Sequence, residues 1–252
     1  MHAGNGNGWL LVIWPPTISN MSPIRVSYFS DILCIWAYAA QRRIEQLVQQ
    51  FGNELLIDAH FCSVFPDAWG KITEKWSAQG GFDGFNRHIN EVALKFPHID
   101  VHERLWLETR PRTSASAHLF LKAIELIERD TTGSSTKPRP YLDRISTRAA
   151  WEIRSAFFAS AKDISDWQIH REIADRLGID YGLVEEKIRS SEAVAQLAVD
   201  YNLGQKLGVE GSPTFIMNDG RQKLFGNVGY RLLEANIQEL LRTASEDEAS
   251  WC

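Results

Sequence analysis

The residues with the clearest potential for chemistry lie in the run Ser30-Asp31-Ile32-Leu33-Cys34-Ile35-Trp36-Ala37-Tyr38. This run follows an apolar, strand-like segment, Ile24 to Phe29. It opens a segment in which Ile44, Leu47, Val48 and Phe51 recur at helical spacing. A cysteine at a strand-to-helix junction sits where the first helical N–H groups lack partners, and their partial positive charge favours thiolate over thiol. Cys34 is therefore expected to be a nucleophile with a lowered pKa, the negative charge of Asp31 partly opposing that shift. The plainer reading is a buried, inert cysteine, the common fate of a free thiol.

The elements that must position Cys34 follow from the pattern around it. Residues 24–63 read as strand, helix, strand, the second strand running from Leu55 to Ser63 and containing Cys62. Two strands joined by a helix form a parallel βαβ unit, which brings both C-terminal strand ends to the Cys34 edge. From Pro66 to about Gly208 the pattern is helical, broken by the Thr131–Pro140 loop. Ser165 and Gln168 have the spacing of a capping box, for a helix burying Ile169, Ile173 and Leu177 and stopped by Gly178. Ser190 or Ser191 is placed to cap the next helix, with Val194, Leu197, Ala198 and Tyr201 as its apolar stripe. After Gly208 the strands return: Gly211-Ser212-Pro213-Thr214 leads into Phe215-Ile216-Met217. Asn218-Asp219-Gly220 is a hairpin turn, and Gln222–Phe225 is the return strand. Asn227 is placed to cap a last helix through Leu233, Ile237, Leu240 and Leu241. The predicted fold class is α/β, one sheet with a helical insertion between βαβ and ββα halves. Residues 21–65 and 209–243 make the sheet-bearing part and 66–208 the insertion. Residues 1–20 are expected to be a disordered or loosely docked extension, Met21 the functional start, and 244–252 a frayed tail.

The 252 residues suffice for a sizeable core, and 44% hydrophobic and 23% charged residues are ordinary for a globular protein. A net charge of −5 argues against nucleic acid and anionic membranes as partners, and no apolar run is long enough to span a bilayer. Three cysteines, Cys34, Cys62 and Cys252, with no charged n-region before Arg25, point to a reducing compartment, the cytoplasm. No metal-ligand spacing appears around Asn86, His88, Asn90 and Glu91, and Gly80-Gly81 lacks the rest of a nucleotide-binding fingerprint.

With the order βαβ, helical block, ββα, the chain resembles the DsbA-like thioredoxin-fold superfamily. The likeness is closest to its FrnE-type branch, and more distant to 2-hydroxychromene-2-carboxylate isomerases and kappa-class glutathione transferases. It rests on Cys34 at the first helix start and on Ser212-Pro213-Thr214. Ala117-His118, Phe157-Phe158, Asp163-Ile164-Ser165-Asp166 and Gly226-Asn227 add to it, over roughly residues 24–243. The resemblance implies a cis-proline at Pro213 beside the Cys34 sulfur, leaving the Ser212 N–H and C=O free for an extended thiol-containing peptide or glutathione. It also implies a thiol–disulfide oxidoreductase. Here, however, Cys34-Ile35-Trp36-Ala37 has alanine where the family's second cysteine stands, so the chain should stall at a mixed disulfide or need an outside thiol such as glutathione to release it. No tightly bound cofactor is expected, and glutathione is a candidate co-substrate. Asn227 stands where glutathione-using relatives have an acidic residue.

The site residues expected on this reading are Cys34 as catalytic thiol, with Trp36, Ser212, Pro213, Thr214, Asn227 and His118 at the substrate. Tyr38 reads as packed, and His118 and His60 have a plainer reading as packed or capping residues. Cys62 is a core residue or a displaced resolving thiol, the latter only if its Cα lies within about 7 Å of that of Cys34. The tryptophans of the helical block, Trp69, Trp76, Trp106, Trp151 and Trp167, read mostly as core, with some lining an apolar groove. The expected partner is a small thiol or disulfide, or an apolar aromatic compound; the likeness leaves room for a homodimer. Two other functions compete: a glutathione-dependent isomerase or transferase acting on an aromatic compound, and a redox-inactive binding module.

Overall fold

The computed structural model describes residues 23–132 and 139–242. The expectations for residues 1–20, Met21, the tail 244–252 and Cys252 lie outside the described residues. β1 (Ile24–Ser30) is the hub of a four-stranded sheet ordered β2-β1-β3-β4, built with β2 (Leu55–Phe61), β3 (Thr214–Met217) and β4 (Gln222–Phe225). β1 runs parallel to β2 from Ile24 opposite Leu55 to Ser30 opposite Phe61, and antiparallel to β3, which pairs with β4. Between β1 and β2 lies α1 (Ile35–Phe51), and α10 (Tyr230–Arg242) follows β4. Among the described residues eight further α-helices lie between β2 and β3: α2 (Ala68–Lys75), α3 (Phe82–Ala93), α4 (Leu105–Glu108), α5 (Ala115–Thr132), α6 (Ile145–Phe158), α7 (Trp167–Leu177), α8 (Tyr181–Arg189) and α9 (Glu192–Lys206). The thioredoxin-like fold with a helical insertion is the fold found. Among the described residues no helix is long and apolar enough to cross a membrane.

Strand alternation explains how the sheet is covered. Ile24, Val26 and Tyr28 share a buried cluster with Ile44 and Leu47 of α1 and Leu233, Ile237 and Leu240 of α10. Each such aliphatic side chain contributes roughly 1.5–3 kcal/mol on full burial. Phe29 and Ile216 cluster instead with Cys62, joined by Leu203, Leu207 and Val209 at the end of α9. The helical block packs directly onto the β1–α1 junction. Ile32, Leu33, Ile35 and Tyr38 share one core with Phe65, Phe85, Trp106, Phe120, Phe157 and Phe158. Tyr38 stacks on Phe158 at 4.8 Å between ring centroids and lies 5.1 Å from Trp151. It is packed, as its sequence context predicts.

Several local expectations shift. β2 ends at Phe61 rather than Ser63, because Val64 and Phe65 turn their N–H groups to a side chain. α5 runs on through Thr132 into the expected loop. α7 is capped by Asp166, whose carboxylate accepts from Gln168 N–H, while Ser165 donates to Asp163. Gly178 does stop α7, in the left-handed conformation at φ 68°. The buried face of α9 is Ala193, Leu197, Asp200 and Gly204, and Val194 is exposed. Of the predicted stripe, Leu197 is buried and Tyr201 packs against the core, whereas Val194 and Ala198 are exposed because Asp200, a charged residue, faces inward.

Asp200 faces inward because it has partners there. Lys122 of α5 lies 2.6 Å from both Asp200 and Glu125, His60 Nδ1 lies 2.8 Å from Asp200, and Phe61 N–H donates to Asp200 at 2.9 Å. Burial opposes the charge on Lys122, but the two carboxylates outweigh it and raise the Lys122 pKa. For Asp200, burial is likewise outweighed, by His60 and Lys122, and its pKa is lowered. The network ties α5, α9 and β2 together. Lys122→Met is expected to cost about 3–5 kcal/mol, because Asp200 would remain buried and charged. Lys122→Met with Asp200→Asn is expected to cost less than Lys122→Met alone, as read by urea unfolding.

Candidate functional site

Cys34 directly precedes α1, at its N-cap position, with extended backbone angles. Its carbonyl accepts the Ala37 and Tyr38 N–H groups, and its own N–H donates to the Asp31 carbonyl, each at 3.1 Å. These bonds fix the sulfur at the helix entrance. The thiol donates to the Ser212 carbonyl at 3.2 Å, and the Ser212–Pro213 peptide is cis. The strand end and the loop before β3 thus meet at one sulfur.

The lowered pKa expected for Cys34 is not what the structure has. Burial pushes the thiol up, and that effect outweighs the opposing hydrogen bonds at Ser212, Ala37 and Trp36; the charge of Asp31 adds to the rise. The helix start does favour a thiolate, but only 7% of the residue is exposed, and desolvation of a buried anion is the larger effect.

Asp31 organises the junction. Its side chain is fully buried, and it accepts from Leu33 N–H, Val64 N–H, Phe65 N–H and the Ser114 hydroxyl, all at 2.9 Å. The Asp31 N–H in turn donates to the Ser212 hydroxyl at 2.9 Å. One carboxylate therefore gathers the β1–α1 junction, the chain after β2 and the residue before α5. The sequence marks Asp31 only as a charge near Cys34. Val64, Phe65 and Ser114 became its partners through the tertiary fold, which spacing along the chain does not reveal.

His118 lies behind the same junction. It is fully buried, stacks on Phe61 at 4.5 Å, and accepts the Ile32 N–H on Nε2 at 3.2 Å. Burial lowers its pKa to about 4, so the ring is neutral and its 3.9 Å approach to Asp31 is no ion pair. Its proton sits on Nδ1, which has no partner among the described residues. The plainer of its two expected readings, a packed residue that props the loop, matches this geometry.

The remaining expected residues fall into two groups. Ser212, Pro213 and Thr214 belong to the loop itself. The Ser212 carbonyl is engaged by Cys34 rather than free, Pro213 O accepts from Gly226 N–H, and the Thr214 hydroxyl donates to Gly211 O. Trp36 and Asn227 lie on a rim the sequence did not indicate. Trp36, half-buried, meets Phe96 edge-on at 6.1 Å; the Arg43 guanidinium lies 5.5 Å over Phe96 and donates to Asn227 Oδ1 at 2.6 Å. Asn227 therefore holds Arg43, and α10 begins three residues later without it as a cap. The signal for Arg43 was available: it lies seven residues after Trp36, on the same face of α1. Cys62 is a free, buried thiol whose nearest acceptor is Gly211 O at 3.8 Å, and burial pushes its pKa up. His60 is committed to Asp200. Among the described residues no group of three His, Cys, Asp or Glu could hold a metal ion.

This pairing of a helix-start sulfur with the loop before β3 is accompanied by a family match. Residues 144–238 match the model of the DSBA-like thioredoxin domain. That stretch runs from the start of α6 into α10 and includes the Ser212-Pro213-Thr214 loop. No curated protein matches the sequence. Solved structures match over the whole fold. A Nitrosomonas europaea protein provisionally named a protein disulfide isomerase gives a TM-score of 0.68 at 16% identity, over 89% of this chain and 100% of that one. The cytosolic disulfide reductase DsbM of Pseudomonas aeruginosa gives 0.60 at 19% identity, over 87% and 99%, and it has also been solved with GSH. A 2-hydroxychromene-2-carboxylate isomerase gives 0.58 at 15% identity, over 89% and 100%. At these identities the likeness is one of fold, and the resemblance to the DsbA-like superfamily stands.

Two measurements follow from this geometry. The rate of Cys34 alkylation depends on the thiolate fraction, so its pH midpoint is expected above the ordinary thiol value of about 8.5. Asp31→Asn should move that midpoint down by removing the nearby negative charge, and should destabilise the fold by about 2–4 kcal/mol because its amide NH₂ meets existing donors. The second concerns His118 and His170, whose pKa values burial lowers to about 4. Above pH about 6.5 both rings are neutral folded or unfolded; below it only the unfolded chain takes up their protons. Stability should therefore fall as pH drops from about 6.5 towards 4, in chemical denaturation across that window, and His118→Gln should lessen the slope.

Proposed function

We propose that the chain is a thiol–disulfide oxidoreductase that works through Cys34 alone, with glutathione completing turnover. The observation that carries this reading is the Cys34 sulfur at the start of α1, held 3.2 Å from the Ser212 carbonyl, with Ala37 where a second sulfur would stand. At rest the sulfur is protonated and its S–H occupies that carbonyl. Loss of the proton frees the Ser212 carbonyl to accept a backbone N–H from an extended partner. The thiolate then attacks one sulfur of the partner's disulfide, forming a Cys34–partner disulfide and releasing the other half as a thiolate. Glutathione attacks the mixed disulfide, takes the partner half as a glutathione disulfide and returns Cys34. The Trp36–Phe96 pair offers an apolar wall. Arg43 offers a guanidinium for a carboxylate of glutathione, with Asn227 as its support.

A second reading has one observation in its favour. A protonated Cys34 is a hydrogen-bond donor, and as such it would steady a glutathione thiolate in an isomerase or transferase acting on an aromatic compound rather than attack a disulfide. Turnover of hydroxyethyl disulfide with glutathione separates the two. On the preferred reading Cys34→Ser lowers turnover by roughly a hundredfold or more, while Cys62→Ala leaves it unchanged. Turnover retained in Cys34→Ser overturns that reading. If glutathione binding also persists in that variant, by calorimetry, the second reading leads; if glutathione does not bind the native chain, the binding-module reading leads.

A further inference from the structure

A cavity of about 550 Å³ opens between β1, β2 and helices α5, α6 and α9; Cys34 does not line it. Arg154 of α6 is in its wall and is only 4% exposed. Its Nη2 donates to the Ser30 hydroxyl at 2.9 Å, and its Nε has no partner. The carboxylates of the wall are committed elsewhere. Asp58 pairs with Arg25, and Glu125 and Asp200 pair with Lys122. Glu128 accepts from the Ile145 and Ser146 N–H groups at the start of α6 and lies 3.6 Å from Arg139. Among the described residues no carboxylate lies within ion-pair distance of Arg154.

A buried guanidinium without a counter-ion is strongly unfavourable, because it has given up water and gained no opposite charge. A planar guanidinium with free donors matches an oxyanion, which two of its N–H groups can meet side by side. Tyr28, Tyr141 and Thr147 add hydroxyls to the same wall, which opens to solvent and also carries Arg139 and Arg144. The volume lies in the range of small-molecule sites.

We propose that this cavity binds a small anionic molecule whose carboxylate or phosphate group pairs with Arg154. The site is separate from Cys34, but not remote from it: Ser30, which Arg154 holds, directly precedes Asp31. An anion in the cavity would therefore fix the same strand end that the Asp31 carboxylate fixes from the other side.

Thermal shift and calorimetry on the full chain test this, with inorganic phosphate, succinate and benzoate at millimolar concentration and chloride as control. At least one of the three oxyanions is expected to bind and to raise the melting temperature where chloride does not. Phosphate alone would assign a phosphorylated ligand; succinate or benzoate would assign an organic acid. Arg154→Met should weaken binding roughly tenfold or more, the scale of a lost charged hydrogen bond. Ala150→Phe, which keeps Arg154 and places a ring one helical turn from it in the cavity wall, should also weaken binding, and decides the matter if Arg154→Met fails to fold. No oxyanion binding to the native chain, or binding that the folded variants leave unweakened, overturns the proposal.

Discussion

The site depends on one buried carboxylate. Asp31 has no exposed surface, and its only titratable neighbour of opposite type at ion-pair distance, among the described residues, is the neutral His118. Such a group is tolerable only if its lone pairs are filled, and here four donors fill them. Those donors come from three separate stretches of chain. Packing alone would bring β1, β2 and α5 near one another, but the carboxylate sets their register to within a hydrogen bond. It also reaches the loop before β3 through its own N–H and the Ser212 hydroxyl. The Cys34 sulfur and its acceptor on Ser212 are thus both held by residues one bond away from Asp31.

The same arrangement sets the character of the thiol. A negative charge in the junction and nearly complete burial both disfavour a second anion, and the helix-start amides do not overcome them. The resting site is therefore a closed, protonated one, with the thiol proton occupying the carbonyl that a partner would need. On the proposed mechanism, opening the carbonyl and forming the nucleophile are one event. Such coupling restrains a lone thiol from reacting with whatever disulfide passes, a useful restraint where no second cysteine can undo an unwanted adduct.

Much of this was legible in the sequence. Alternation and helical spacing placed β1, α1, the Asn218–Gly220 turn and the ββα ending, because these depend on local pattern. Cys34 and the Ser212-Pro213-Thr214 loop were legible as partners through the resemblance. What was not legible depended on distant residues meeting. Asp200 faces inward because Lys122 and His60 await it, which left two of the four predicted apolar positions of α9, Val194 and Ala198, exposed. Arg43 takes Asn227 away from the last helix. The thiol's pKa direction was misjudged because position at a helix start is readable from sequence, whereas the burial of Cys34 depends on the tertiary fold.

The central claim is that Cys34 acts without a second sulfur. Its most direct test is to expose the chain to oxidised glutathione and map the product by intact mass and peptide mass spectrometry, before and after adding reduced glutathione. The account predicts one glutathione on Cys34, stable alone and removed by reduced glutathione. A Cys34–Cys62 disulfide in its place, or a chain left unmodified at a pH where Cys34 alkylates readily, would contradict it.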